Sequence, residues 1–401
     1  MKRLYETLIR EHLGEHRQMV FLTGPRQVGK TTTGRVSAGP RHAYLNWDIQ
    51  SDRLTLTRGP ARLAEALQVS SRSSSGHRTV VFDEIHKYSK WRTFLKGWFD
   101  GWSNRSRTIV TGSARLDVFR RGGDSLMGRY LLYRMHPISL GELLRGWSPE
   151  KEIRPPRRSG KDAFRHLLTY GGYPEPFLKA SSRFWNRWQR LRADQLFRDD
   201  LRDLTRIQEL GQMQVLAQLI ESRVGQPVNL SNLASEVNIS VDTVRRWILS
   251  LEAVYHCFIV RPWHLNVSKS LRKQPKIYLW DWSRAAGAGA RIENFVAAHL
   301  LKAVQGWTDA GLGEYGLYYL RDKLKREVDF LVVRGGDPWF LVEVKSSGRR
   351  GMNPNLAYFQ KTIGASHAFQ IAFDLPFQEK DCFSESEPVR VPAETLLSQL
   401  V

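Results

Sequence analysis

The sequence predicts an α/β chain of several domains that opens on a parallel sheet carrying a phosphate-binding loop. Three observations predict it. Residues 1 to about 145 alternate short apolar runs with helix-compatible segments, the pattern of strands joined by helical crossovers. The first run, Met19-Val20-Phe21-Leu22, leads into T-G-P-R-Q-V-G-K-T-T at Thr23–Thr32, which fits G-x-x-x-x-G-K-[ST]. A later run, Thr79-Val80-Val81-Phe82, ends in Asp83-Glu84, where a P-loop enzyme needs its second carboxylate.

In chain order, Met1 to Gln18 is polar, places Leu4, Leu8 and Ile9 at helical spacing, and lacks the apolar centre of a signal peptide. The loop Gly24, Pro25, Arg26, Gln27, Val28, Gly29 folds back so that its N–H groups face a nucleotide's phosphates. Lys30 then reaches the β- and γ-phosphates, Thr31 ligates Mg²⁺, and Thr32 continues into a helix. ATP and Mg²⁺ are the cofactors expected. Ala43 to Trp47 reads as a second strand, Ala61 to Leu67 as a helix, and Ser70 to His77 as a Ser-rich surface loop. Asp83 is placed to hold the same Mg²⁺, and Glu84 to polarise the attacking water. Trp91 to Trp102 is helical, and Arg107 to Val110 is a fourth strand ending in Thr111-Gly112-Ser113. Ser113 is placed to sense the γ-phosphate or orient the water; equally, Thr111 and Ser113 are residues that cap a turn. Arg129, in Leu126-Met127-Gly128-Arg129, is a candidate arginine finger, with Arg120 and Arg121 as competitors.

Beyond this core the chain changes character. Gly146 to Pro149 and Pro155 to Gly160 read as linker, and residues 161 to about 205 as helices broken at Gly171-Gly172-Tyr173-Pro174. Leu216, Leu219 and Ile220 mark a helix, Leu230 to Val237 a short one, and Ser240 caps a third carrying Val244, Trp247, Ile248 and Leu251. Helix, short helix, turn, helix is a helix-turn-helix, and Tyr255 to Leu279 forms a hairpin like a wing. Arg245, Arg246, Lys269, Arg272, Lys273 and Lys276 suit phosphate contact. A protein-docking winged helix with a solvated basic edge fits them equally. The expected division is a nucleotide-binding core over 1–146, a helical lid over 147–205, a winged helix-turn-helix over 206–280 and an α/β domain over 281–401.

Composition bounds the function. The 401 residues include 61 Lys and Arg against 40 Asp and Glu, a net charge of +21 that attracts a polyanion, nucleic acid before anionic lipid. No stretch approaches the roughly 20 apolar residues that span a membrane. Cys257 and Cys382 make no disulfide framework or zinc spacing and point to a reducing, cytoplasmic compartment.

The stretches G-P-R-Q-V-G-K-T (24–31), F-D-E-I-H-K (82–87), T-G-S (111–113), S-L-M-G-R (125–129), P-I-S-L-G-E (137–142) and G-G-Y-P-E (171–175) resemble a prokaryotic AAA-type ATPase family. In that family the ATPase is followed by a winged helix and a C-terminal PD-(D/E)xK nuclease-like domain. The match runs from about residue 15 to about 350. The resemblance implies an AAA-like core and a homo-oligomer, a hexameric ring being one form, in which one subunit's arginine reaches its neighbour's γ-phosphate. The sequence departs from the family at Thr111-Gly112-Ser113-Ala114 and at Asp281-Trp282-Ser283.

The last third carries a second acidic pattern. Asp329 precedes Glu343-Val344-Lys345 by fourteen residues, and strand alternation projects Glu343 and Lys345 to one side. Asp329 and Glu343 then suit a divalent metal, Lys345 the activation of a water, and Glu293 a further metal ligand. The arrangement resembles the PD-(D/E)xK core; an ordinary surface ion pair of Glu343 with Lys345 is the plainer alternative. The leading expectation is an ATP-hydrolysing protein acting on DNA, with a metal-dependent nuclease-like domain. The alternative is an ATP-switched regulator or scaffold whose last domain binds nucleic acid or partners without cutting.

Overall fold

The computed structural model describes residues 1–69, 77–112, 126–144, 151–160, 162–201, 209–263, 274–349 and 351–401. Two compact units emerge, Met1–His136 and the bulk of Pro137–Val401.

The first unit is α1 (Tyr5–Glu15), β1 (Met19–Thr23), α2 (Lys30–Ser37), β2 (His42–Asn46), α3 (Gln50–Thr57), α4 (Pro60–Ala66), β3 (Arg78–Asp83), α5 (Trp91–Trp102), β4 (Ser106–Thr111) and β5 (Tyr130–Arg134). The five strands form one sheet in the order β2-β3-β4-β1-β5. Every neighbouring pair is parallel. β1 is buried along its whole length, as a central strand covered on both faces must be. Phe21, Val80, Phe82 and Val110 pack with Trp91, Phe94, Leu95 and Trp98 of α5, so one amphipathic helix seals one face. Parallel order brings the C-terminal ends of β1, β3 and β4 to one edge, where ligands bind in open α/β sheets.

The second unit begins with α6 (Leu140–Leu144), α7 (Ala163–Tyr170), α8 (Pro174–Lys179) and α9 (Ser182–Gln195). Then come α10 (Leu210–Ser222), α11 (Leu230–Val237) and α12 (Val241–Ala253). Ser240 caps α12 by accepting from Thr243 N, and Asn238 turns the chain in the left-handed region. After β6 (Cys257–Pro262) and β7 (Lys276–Leu279) the order is α13 (Ala288–Asp309), β8 (Tyr315–Arg321), β9 (Glu327–Arg334), β10 (Asp337–Lys345), α14 (Pro354–Ile363), β11 (His367–Ala372), β12 (Val389–Pro392) and α15 (Ala393–Gln399).

The sequence division at 280 does not divide the sheet. Seven strands run in the order β12-β11-β10-β9-β8-β6-β7, so the expected wing hairpin joins the C-terminal sheet. Arg261 and Pro262 pair with Tyr318 and Tyr319 of β8, and Trp263 N donates to Tyr319 O at 2.9 Å. The G-G-Y-P and D-W-S stretches meet here. Asp281 accepts from Gln189 Nε2 at 2.7 Å and Arg192 at 3.2 Å, and the Trp282 indole donates to Leu167 O. A Cβ on Gly171 would stand 2.7 Å from Asp281 Oδ1, so the G-G-Y-P motif and the departure at Asp281 both serve packing, while the departure at Thr111-Gly112-Ser113-Ala114 runs beyond the described residues. Among the described residues no helix is long and apolar enough to cross a membrane.

Candidate functional site

The loop after β1 is shaped by its backbone. Gly24 (φ +144°), Gln27 (φ +62°) and Gly29 (φ +102°) all lie where L side chains are strained. A Cβ on Gly24 would drive into the Met135 carbonyl oxygen, so only glycine fits there. Pro25 and Val28 are buried, Arg26 is partly exposed, and Gln27 and Thr32 are exposed. Lys30 opens α2, and its ammonium donates to Gly24 O at 2.9 Å and Pro25 O at 2.7 Å. These bonds hold the cation in the cradle of the loop.

Asp83, buried at the end of β3, accepts from three hydroxyls: Thr31 Oγ1 at 2.9 Å, Tyr44 at 2.7 Å and Thr111 Oγ1 at 2.5 Å. Burial and the Asp83 carboxylate raise the Tyr44 phenol. Hydroxyl and carboxylate oxygens at one point are the hard donors that Mg²⁺ takes, so Thr31 and Asp83 fit that ion. Glu84 follows with φ +55°, and burial raises its carboxyl while the Lys87 charge opposes the rise. Lys87 stands 3.4 Å from Glu84 and 2.6 Å from Asp48.

Two residues outside the sequence reading support this site. Tyr44, on the strand beside β3, carries no motif. Arg3 is buried and donates to Val28 O at 2.5 Å and His136 O at 2.7 Å, bracing the loop from the N-terminus. Ser113, Arg120 and Arg121 lie outside the described residues. Arg129 makes a two-pronged bond to Asp100 of α5, at 2.8 and 3.0 Å. It precedes Tyr130, which pairs with Met19, while the loop leaves from Thr23. Five strand steps, about 16 Å, therefore separate Arg129 from the loop's own end of the sheet.

The second acidic group assembles on β7, α13, β9 and β10. Glu343 Oε1 accepts from Lys345 at 2.6 Å and Asn353 at 2.7 Å, while buried Oε2 has no hydrogen-bond partner. Asp329 Oδ2 accepts from Val344 N at 2.8 Å. Burial, then the charges of Glu293 and Glu343, push the Asp329 carboxyl well above its ordinary range. Lys276, expected on the basic edge of a wing, is instead 2% exposed. Its ammonium lies 2.7 Å from Glu327, 3.5 Å from Glu293 and 3.8 Å from Asp329. Burial alone would lower Lys276; the carboxylates, Glu293 first, raise it above the usual lysine range. Tyr278 donates to Glu293 at 2.7 Å. Among the described residues no three His, Cys, Asp or Glu side chains stand together as a metal site. As arranged, Glu293, Asp329 and Glu327 fit an ammonium rather than the divalent metal expected for Glu293, Asp329 and Glu343. Strand alternation carried the missed signal: Lys276 shares a face with Tyr278, and Glu327 with Asp329.

Of the basic residues expected on the hairpin, only Lys276 lies among the described residues. On α12, Arg245 is paired with Asp242 at 2.8 Å. Over 209–254, Glu209, Glu221, Glu236, Asp242 and Glu252 outnumber Arg223, Arg245 and Arg246. Lys269, Arg272 and Lys273 lie outside the described residues. On α9, exposed Arg183, Arg187 and Arg190 recur at helical spacing on the face opposite buried Trp188 and Gln189.

Comparison with known proteins agrees with the first unit. Residues 16–144 match the family model described as AAA domain. Residues 161–295 and 288–374 match two families described as domains of unknown function. Uncharacterized proteins of Mycobacterium tuberculosis and Mycobacterium bovis are each 24% identical over 398 residues, 95% of this chain and 81% of theirs. Among solved structures, AMPPCP-bound DnaA from Aquifex aeolicus covers 62% of this chain and 87% of its own, at 14% identity and a TM-score of 0.33. Cdc6p from Pyrobaculum aerophilum covers 73% and 92%, at 11% identity and a TM-score of 0.26. The first unit thus resembles AAA-type P-loop ATPases through its family model, strand order and loop.

Proposed function

We propose that this protein binds and hydrolyses ATP as a homo-oligomeric AAA-type ATPase and acts on DNA in the cytoplasm. The observation that carries the ATPase reading is the 2.9 Å bond from Thr31 to Asp83 beside the cradled Lys30. Loop N–H groups and Lys30 meet the phosphate charge, and the hydroxyls of half-buried Tyr44 and buried Thr111 fix the Asp83 carboxylate. Mg²⁺, held by Thr31 and Asp83, would draw charge from the β- and γ-phosphates. Glu84 takes the proton of the attacking water, its raised carboxyl suiting that exchange. Arg129, about 16 Å away along the strand direction, serves a neighbour's site rather than its own. Steady-state hydrolysis tests this reading. Lys30→Ala should lose ATP binding, and Glu84→Gln should bind ATP yet hydrolyse it roughly 10²-fold more slowly. A wild-type rate in Glu84→Gln would sink the assignment. Light scattering with an ATP analogue should show a mass increase.

The arginine face of α9 supports contact with a nucleic-acid backbone, since Arg183, Arg187 and Arg190 have no carboxylate partner among the described residues. Replacing all three with Gln should flatten the salt dependence of duplex binding; an unchanged slope would remove that face from the reading.

The order α13-β8-β9-β10-α14-β11 and the Glu343-Val344-Lys345 strand support a nuclease-like domain. Lys276 among the acids favours the second reading, in which this domain binds nucleic acid or partners without cutting. Labelled duplex incubated with Mg²⁺ or Mn²⁺, with and without ATP, separates the two: cleavage lost in Asp329→Ala supports a nuclease, and intact duplex throughout supports the second reading.

A further inference from the structure

We propose that Lys276 is the resident cation of the acidic group, and that a divalent metal enters there only when this ammonium is removed. The inference stands on the geometry of that group and is independent of whether the chain hydrolyses ATP or binds DNA.

Lys276 is fixed from both sides. Its backbone pairs with Val260 across the hairpin and bridges to Pro227, so its side chain enters the group from a held strand. At 2% exposure the ammonium has exchanged water for three carboxylates and the ring of Tyr319, whose centroid is 5.4 Å away. A buried ammonium persists only when charge and hydrogen bonds replace its hydration, and here they do.

The remaining acids have their own partners. Glu327 also pairs with Arg321 at 3.0 Å, and Glu343 with Lys345 at 2.6 Å. Glu293 takes the Tyr278 hydroxyl and backs against the turn after α10, where a Cβ on Gly225 would stand 2.6 Å from Glu293 Oε1. Four carboxylates thus face three cations. A divalent ion added to this set has to displace Lys276, because both would stand between Glu293 and Asp329. Glu343 Oε2, buried and without a hydrogen bond, is the oxygen left for an incoming ion once that happens.

Binding of Mn²⁺ to nucleotide-free protein, followed by electron paramagnetic resonance, tests the proposal. Wild type and Asp329→Asn should bind equally, because neither offers a metal site there. Lys276→Met should gain one site at least tenfold tighter than any in the wild type, and Lys276→Met with Asp329→Asn should lose it again. Lys276→Arg, which keeps the charge, should match the wild type. Wild-type binding that Asp329→Asn abolishes would overturn the proposal, and this arm needs no Lys276 variant to fold. A folded Lys276→Met that gains no site would overturn it as well.

Discussion

Two acidic groups occupy strand ends in this chain, and they treat their lysines in opposite ways. At the first, Lys30 spends its hydrogen bonds on the carbonyls of Gly24 and Pro25, and Asp83 is surrounded by neutral hydroxyls. At the second, Lys276 lies within 3.8 Å of three carboxylates. A carboxylate held by hydroxyls offers, with them, the hard oxygen donors that an arriving divalent cation takes. A carboxylate against an ammonium is already answered. The difference teaches that acidic residues at strand ends say little about metal until their counter-charge is located.

The comparison breaks most sharply at two glycines. Gly24 faces the backbone of Met135, which has no room to yield, so Gly24→Ala should cost about 3 kcal/mol in denaturant unfolding and abolish ATP binding. Gly225 (φ +77°) faces only the tip of Glu293, which swings aside, so Gly225→Ala should cost roughly 1–2 kcal/mol and leave ATP binding intact. Equal losses at the two positions would erase the distinction between them.

Asp329 offers a pH-dependent contrast. Its folded pKa is raised, so its contribution is complete below the unfolded value near ~3.9 and is lost as pH climbs toward the folded one. Asp329→Asn removes that loss. Its stability relative to the wild type should therefore grow from pH 4 to pH 8, measured by urea unfolding. A flat difference would mean that Lys276 fully offsets the crowding. Tyr44→Phe should have the smallest effect, about a two- to fivefold rise in the KM for Mg-ATP, because Asp83 keeps two of its three hydroxyl donors. No change in KM would place the phenol outside the metal's reach.

Much of the first unit was legible in the sequence because its signals are local. A glycine loop after a buried strand, and an Asp-Glu pair after another, each need only a few adjacent residues. Strand and helix positions followed from apolar runs and caps such as Ser240. What escaped was set by sheet order. Tyr44 meets Asp83 because β2 lies beside β3, and Lys276 meets Asp329 because the β6–β7 hairpin joins β8. Neither adjacency is written in a short window. Arg3 was missed for the same reason, since it braces a loop more than twenty residues away. The basic reading of the hairpin erred on Lys276 by counting charge without asking which strand face carried it.

The pairing of β6 with β8 also bears on how the chain can be taken apart. A cut at residue 280 would run through a hydrogen-bonded sheet, stripping β6 of its parallel neighbour and Lys276 of the carboxylates that keep it dry. The helices from α10 to α12 are therefore not a module to be expressed, grafted or exchanged alone; they belong to the same mechanical piece as the strands that end at Lys345.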